Sequence, residues 1–131
     1  MEWIKDKTIV VYLSDNGPVQ FEGLNDDYLG SSPGPFRGEV GDVLEGSLRV
    51  PGMIRWPKKF PARKSNEMVS IHDFLPTFAA LFGSPLPKAR PIDGCNQLKF
   101  FEGEENSSRE ELLSFIEGEV SAVRWRHWRI Y

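Results

Sequence analysis

The sequence predicts an α/β fold: the end of an α/β sheet, followed by a small antiparallel unit. Three observations carry this. An unbroken apolar, β-branched run at residues 8–13 ends abruptly in turn formers. A capped, amphipathic helical pattern opens at Ser70. Two late apolar runs meet at Gly118, as in a hairpin.

The first run, Thr8-Ile9-Val10-Val11-Tyr12-Leu13, has no polar alternation, which predicts a strand covered on both faces in a parallel sheet. Such a strand needs neighbours, and if they are encoded elsewhere it lies exposed and invites self-association through its edge. Ser14-Asp15-Asn16-Gly17-Pro18 closes it, and residues 17–41 are rich in Gly, Pro, Ser, Asn and Asp. An irregular stretch of that length in a compact domain points to function. Residues 48–56 predict a second strand interrupted near Pro51-Gly52, and residues 57–64 an exposed basic connection. From Ser70, with Asp73 at the capping-box position, Ile71, Phe74, Leu75, Phe78, Leu81 and Phe82 follow at helical spacing. Pro76 is tolerated near the first turn, Gly83 stops the helix and Pro85 prevents its resumption. Residues 93–101 predict a short helix and 102–108 a polar loop. Residues 112–117, 120–125 and 128–131 predict strands. The domain reading is 1–90 for the end of the α/β part and 91–131 for the start of the antiparallel part.

With 131 residues the chain fits one compact domain or part of a larger one. The 19 acidic residues outnumber the 16 basic ones, which gives no electrostatic case for nucleic acid. A single cysteine excludes an internal disulfide. No run is long enough for a transmembrane helix, so no membrane partner is expected. The charged N-terminus lacks the apolar core of a secretory signal, and localisation stays open.

The chemistry concentrates at Asp15-Asn16. A carboxylate beside an amide, just past a strand's carboxyl end, offers hard oxygens suited to Ca²⁺ or Mg²⁺ at the rim where α/β sheets bind ligands. The simpler alternative is an Asx turn that only ends the strand. Arg37 and Arg49 can hold an oxyanion or pair with carboxylates. The bland reading makes Glu45 and Arg49 a structural ion pair pinning the loop. His72 reads as a capping or solvent-facing residue, and Cys95 as a small buried side chain. Arg124, Arg126, His127 and Arg129 with Trp125 and Trp128 imitate a nucleic-acid stripe. Strand alternation, with Arg124 and Arg126 on one face, instead predicts a packed sheet with a solvated edge.

Taken in order, Ser14-Asp15-Asn16-Gly17-Pro18, Phe36-Arg37-Gly38, Glu45-Gly46 with Leu48-Arg49-Val50-Pro51-Gly52, Arg55-Trp56-Pro57, His72-Asp73-Phe74-Leu75-Pro76-Thr77 before Gly83, Ile92-Asp93-Gly94, and Ala122-Val123-Arg124-Trp125 with Trp128-Arg129 resemble the arylsulfatase-type sulfatases. The resemblance runs from about Thr8 to Tyr131 and corresponds to the C-terminal portion of that family. It implies part of an alkaline-phosphatase-like α/β sandwich followed by a small antiparallel sheet with a helix. It implies sulfate-ester hydrolysis by a formylglycine made from the Cys or Ser of a Cys-x-Pro-x-Arg motif. It further implies a divalent cation, usually Ca²⁺ with Mg²⁺ as the alternative, for which Asp15 and Asn16 match the later ligand pair. Arg37 becomes a candidate for the sulfate ester.

Two departures follow. No Cys-x-Pro-x-Arg occurs here, since Cys95 lies in Gly94-Cys95-Asn96-Gln97. The formylglycine nucleophile is therefore expected only in a missing N-terminal part, and the chain alone is expected to be inactive. Where many members carry Arg-Gly-Gly-Lys-Gly, this sequence reads Arg37-Gly38-Glu39-Val40-Gly41, placing Val40 at the usual lysine position beside an added negative charge. The alternatives are a related metal-dependent phosphatase or phosphonate hydrolase, or a non-catalytic degenerate or binding module.

Overall fold

The computed structural model describes residues 2–19 and 32–131. Its elements are α1 (Glu2–Lys5), β1 (Val10–Leu13), α2 (Glu45–Leu48), β2 (Gly52–Arg55), a 3₁₀ turn (Ile71–Asp73), α3 (Phe74–Phe82), α4 (Leu98–Glu102), β3 (Glu111–Ile116), β4 (Glu119–Trp125) and β5 (Trp128–Ile130). The mixed helices and small sheets fit an α/β fold with an antiparallel unit. Much of the irregular stretch between Pro18 and Gly41 falls at residues 20–31, outside the described residues. None of the described helices is long and apolar enough to cross a membrane.

Two compact units form. One gathers Met1–Thr8, Trp56–Leu112 and Trp125–Trp128, and the other Ile9–Arg55, Leu113–Arg124 and Arg129–Tyr131.

The first unit is built on α3 and an aromatic core. Phe60, Phe100 and Phe101 are buried, with Phe74 stacked on Phe101 at 6.2 Å and Trp56 edge-on to Phe60 at 5.8 Å. Such ring pairs add to the apolar burial that holds a small core together. The predicted capping box is present at Ser70, but the first turn is 3₁₀ and α3 proper starts at Phe74. Gly83, left-handed at φ 64°, ends the helix.

Asp73 does far more than cap. It is fully buried, and Arg109 grips it through Nε at 3.0 and 3.1 Å and through Nη2 at 2.6 Å. The backbone N–H groups of Ser70 and Cys95 each donate to its carboxylate at 2.8 Å. Arg109 also donates to the carbonyls of Asp93 and Glu111. Thr77 Oγ1 donates to the Asp73 carbonyl at 2.6 Å and receives the Gln97 N–H at 2.9 Å. The buried Gln97 side chain accepts from Ser107 and Ser108. A buried carboxylate is tolerable only when paired and fully hydrogen-bonded, and this one is both.

The second unit contains a two-stranded sheet in which β1 and β2 run antiparallel, with Val10 opposite Arg55 and Leu13 opposite Gly52. The expectation of a parallel, doubly covered first strand is corrected here: all four residues of β1 are exposed, Tyr12 by 61%. With β2 as its paired neighbour, the apolar run finds no layer among the described residues to be buried against. The predicted break near Pro51-Gly52 is the start of β2, while Leu48 belongs to α2, which periodicity over so short a run does not reveal.

The last three strands form a sheet in the order β3-β4-β5. Two-residue connections join antiparallel neighbours only. Glu117 and Gly118 both take positive φ (51° and 88°), as the primed hairpin turn requires. The expectation that Arg124 and Arg126 share a face fails because Arg126 leaves the strand, turning at φ 52° in the connection to β5. There it lies over the Trp125 ring at 5.0 Å and pairs with Glu110 at 2.7 Å.

Removing the partner of a buried charge typically costs about 3–5 kcal/mol. Arg109→Met should therefore lower the unfolding free energy from urea titration by an amount in that range, whereas Lys99→Ala, in the exposed Lys99–Glu105 pair, should leave it unchanged. Burial pushes the Asp73 carboxyl up, but the Arg109 hydrogen bonds outweigh it, aided by those from Ser70 and Cys95, and its pKa is lowered. A lowered folded-state pKa gives stability that is complete above the ordinary Asp value of about 3.9 and lost as pH falls through the folded value. The urea midpoint should thus drop on acidification below about pH 4, and less steeply in Arg109→Met. An equal slope in both proteins would show that Asp73 does not carry the effect.

Candidate functional site

The site lies in the second unit, where β1 gives way to the Ser14–Pro18 turn. Strand β1 delivers Asp15 and Asn16 at its carboxyl end, and the turn is fixed by its own polar groups. Ser14 Oγ donates to the Asn16 carbonyl at 3.0 Å, and the Asn16 N–H donates to Asp15 Oδ1 at 3.0 Å. Asn16 Nδ2 donates to the Gly17 carbonyl at 2.6 Å.

These bonds resemble an Asx turn, yet they do not exhaust the side chains. An amide nitrogen set against a carbonyl fixes which end of the Asn16 amide is the oxygen. Asp15 Oδ2 and Asn16 Oδ1 accept no hydrogen bond from any described residue. Both residues line one cleft of about 690 Å³, together with Ser14, Gly17, Phe36, Gly46 and Arg49. A carboxylate oxygen and an amide oxygen are hard donors of the kind Ca²⁺ and Mg²⁺ take, so the residues present fit two ligands of such an ion. Among the described residues no group of three or more His, Cys, Asp or Glu gathers to hold a metal, so further ligands would have to come from elsewhere.

The turn is braced by α2. Gly17 N–H donates to the Ser47 carbonyl at 2.9 Å, and Gly46 N–H to the Arg37 carbonyl at 2.7 Å. A Cβ on Gly17 would sit 2.2 Å from the Gly46 carbonyl oxygen, and one on Gly46 would sit 2.7 Å from that of Arg37. Neither position has room for a side chain, so backbone meets backbone here. Ser47, buried, donates to Asp42 Oδ1 at 2.7 Å, and Asp42 in turn receives the N–H groups of Glu39 and Leu44. Burial raises the Asp42 pKa, but the Ser47 hydroxyl and these two N–H groups outweigh it and hold the carboxyl below its ordinary value.

Glu45 anchors α2. Arg124 from β4 donates to it at 2.8 and 3.1 Å, Arg129 from β5 donates to its Oε1, and Arg49 lies 3.5 Å away. Arg129 also donates to the Val43 carbonyl, while its buried Nε finds no acceptor among the described residues. Burial pushes the Glu45 carboxyl up; the Arg129 hydrogen bond, then the charges of Arg124, Arg129 and Arg49, lower it overall. The Glu45–Arg49 pair anticipated from spacing is present. Its two stronger partners are 79 and 84 residues away, and no local pattern signals them.

The remaining candidates fall elsewhere. Arg37 is exposed and does not line the cleft; its carbonyl is the part engaged. Val40, 43% exposed, is held by its N–H to the Pro18 carbonyl at 2.8 Å and also stands outside the cleft lining. In the first unit, His72 is exposed with Nδ1 2.9 Å from the Ser70 hydroxyl, as a capping-turn residue would be. Cys95 is half-buried and tied to Asp73 through its backbone N–H.

A family model described as Sulfatase matches residues 2–84. The chain is 37% identical over 124 residues to the steryl-sulfatase of Mus musculus, covering 92% of this chain and 20% of that protein. It is 30% identical over 131 residues to an N-acetylgalactosamine-6-O-sulfatase of Bacteroides thetaiotaomicron, covering 96% of this chain and 26% of the relative. A solved structure from work on glycosaminoglycan metabolism in the same bacterium superposes with a TM-score of 0.81 at 29% identity, over 97% of this chain and 28% of its own. The chain thus spans between a fifth and just over a quarter of these relatives.

Proposed function

We propose, since this chain belongs to the sulfatase family, that it contributes part of the divalent-metal and sulfate site of a sulfuric ester hydrolase. Asp15 and Asn16 are the cation ligands, Ca²⁺ is the preferred ion with Mg²⁺ as the alternative, and a sulfate ester is the substrate. The observation that carries this reading is that Asp15 and Asn16 line one cleft and that each keeps a hard side-chain oxygen, Oδ2 and Oδ1, with no acceptor role toward any described residue.

Each residue has a separable task. Asp15 supplies the negative charge that makes the site selective for a cation, and Asn16 adds a neutral oxygen without adding charge. The hydrogen bonds from Ser14 and within Asp15-Asn16-Gly17 hold both side chains in place before the ion arrives, so less ordering entropy is lost on binding. When bound, a divalent cation neutralises sulfate charge and stabilises charge developing in the transition state. A Ca²⁺ ion takes about six to eight oxygens, so ligands beyond Asp15 and Asn16 are needed. A chain spanning about a fifth of its steryl-sulfatase relative leaves ample length for them.

The nucleophile is a second missing part. No Cys-x-Pro-x-Arg motif lies within these 131 residues, and without a nucleophile the covalent route is closed. The chain by itself is therefore a binding part rather than a catalyst. Steryl and N-acetylgalactosamine-6-O-sulfates, named for two of the relatives, present the same sulfate group.

Calorimetric titration of the chain with Ca²⁺ should show weak binding, with Kd on the order of 1 mM, as expected of a site with few protein ligands. Asp15→Asn should weaken it at least tenfold. Unchanged affinity in that variant would remove Asp15 from the site. The purified chain should hydrolyse an aryl sulfate no faster than a metal-only blank, and turnover above that blank would overturn the assignment of the nucleophile to residues outside this chain.

A further inference from the structure

Arg49 carries a second role that its ion pair with Glu45 conceals. Glu45 is already engaged by Arg124 at 2.8 Å and by Arg129, whereas its distance to Arg49 is 3.5 Å, too long for a strong charge-assisted bond. Of the three guanidinium groups around that carboxylate, Arg49 exerts the smallest pull on it. Its side chain remains 37% exposed. Meanwhile the guanidinium carbon sits over the Phe36 ring, 4.4 Å from its centroid, and both residues line the Asp15–Asn16 cleft. Stacking on a ring leaves the in-plane N–H fork available, so the ring orients the donors without consuming them.

Charge points the same way. Among the described residues lining the cleft, Arg49 is the sole cation and Asp15 the sole anion. A cleft with a carboxylate and amide for a cation, and a half-engaged planar fork for an anion, suits a tetrahedral oxyanion bridging the two. We infer that Arg49 is the residue of this chain that binds the sulfate group, through its guanidinium fork, with Phe36 fixing its orientation. This rests on the reading of the cleft as a sulfate site and deepens it by naming the anion contact, a role the sequence suggested for Arg37, which stands outside the cleft lining.

The test separates the two claims. The chain, labelled with ¹⁵N, is titrated with sodium sulfate against sodium chloride at equal ionic strength, with and without Ca²⁺, following the arginine Nε–H resonances. In the parent chain one such resonance, assigned to Arg49 by its absence in Arg49→Gln, should shift saturably with sulfate and not with chloride. Arg49→Gln should weaken sulfate binding at least tenfold while leaving Ca²⁺ affinity within twofold. Arg49→Lys, which keeps the charge and the fold but loses the fork, should fall between. Sulfate binding that is equal in the parent and in both variants, or no saturable sulfate shift in the parent, overturns the role of Arg49. If instead sulfate binding depends on Arg49 but Ca²⁺ binding does not depend on Asp15, the anion contact stands and the metal reading fails.

Discussion

One shared carboxylate holds the functional end of the molecule together. Glu45 sits on the four-residue helix α2, too short to be stable alone, and takes guanidinium groups from β4, from β5 and from its own next turn. That arrangement fixes α2 to the late sheet. Because Gly46 and Ser47 then meet Gly17 backbone to backbone, it also fixes the turn that displays Asp15 and Asn16. The chain of dependence runs from an ion cluster to a short helix, to a glycine contact, to a pair of oxygens. Loss of the Glu45 carboxylate would leave three arginines without their common partner and loosen every later link.

This explains why the sulfatase motifs of the chain are so widely spaced and yet act together. Asp15-Asn16, Glu45-Gly46 with Arg49, and Arg124 with Arg129 are separate words in the sequence. In the second unit they form one assembly in which the first pair, Gly46 and Arg49 line the cleft. The others are there to support it. The relatives, which are several times longer than this chain, are similar to it over nearly its whole length.

Much of the fold was legible because its signals are local. The Ser70 cap and the apolar spacing to Phe82 specify α3 within a dozen residues, Gly83 ends it, and Glu117-Gly118 marks the hairpin. Asp15 and Asn16 were legible for the same reason, as turn formers ending an apolar strand. What escaped was set by distant partners. Asp73 reads as a capping residue, and nothing near it announces that Arg109, 36 residues on, will bury with it. The burial of β1 was misjudged because an apolar run records what a strand is suited to meet, and among the described residues none covers its faces. Arg37 and Arg49 are indistinguishable by residue type, and only the placement of Phe36 beside the cleft separates them.

The Asp73–Arg109 pair also sets an order of events in time. Helix α3 has nine residues, below the length at which a helix persists alone in water. Its cap residue can be buried only with its counter-charge, and that arginine emerges from the ribosome 36 residues later. Until then the segment can flicker into helix but cannot commit to it. The salt bridge therefore makes the burial of Asp73 depend on a segment, residues 93–109, that carries α4 and follows α3 in the chain.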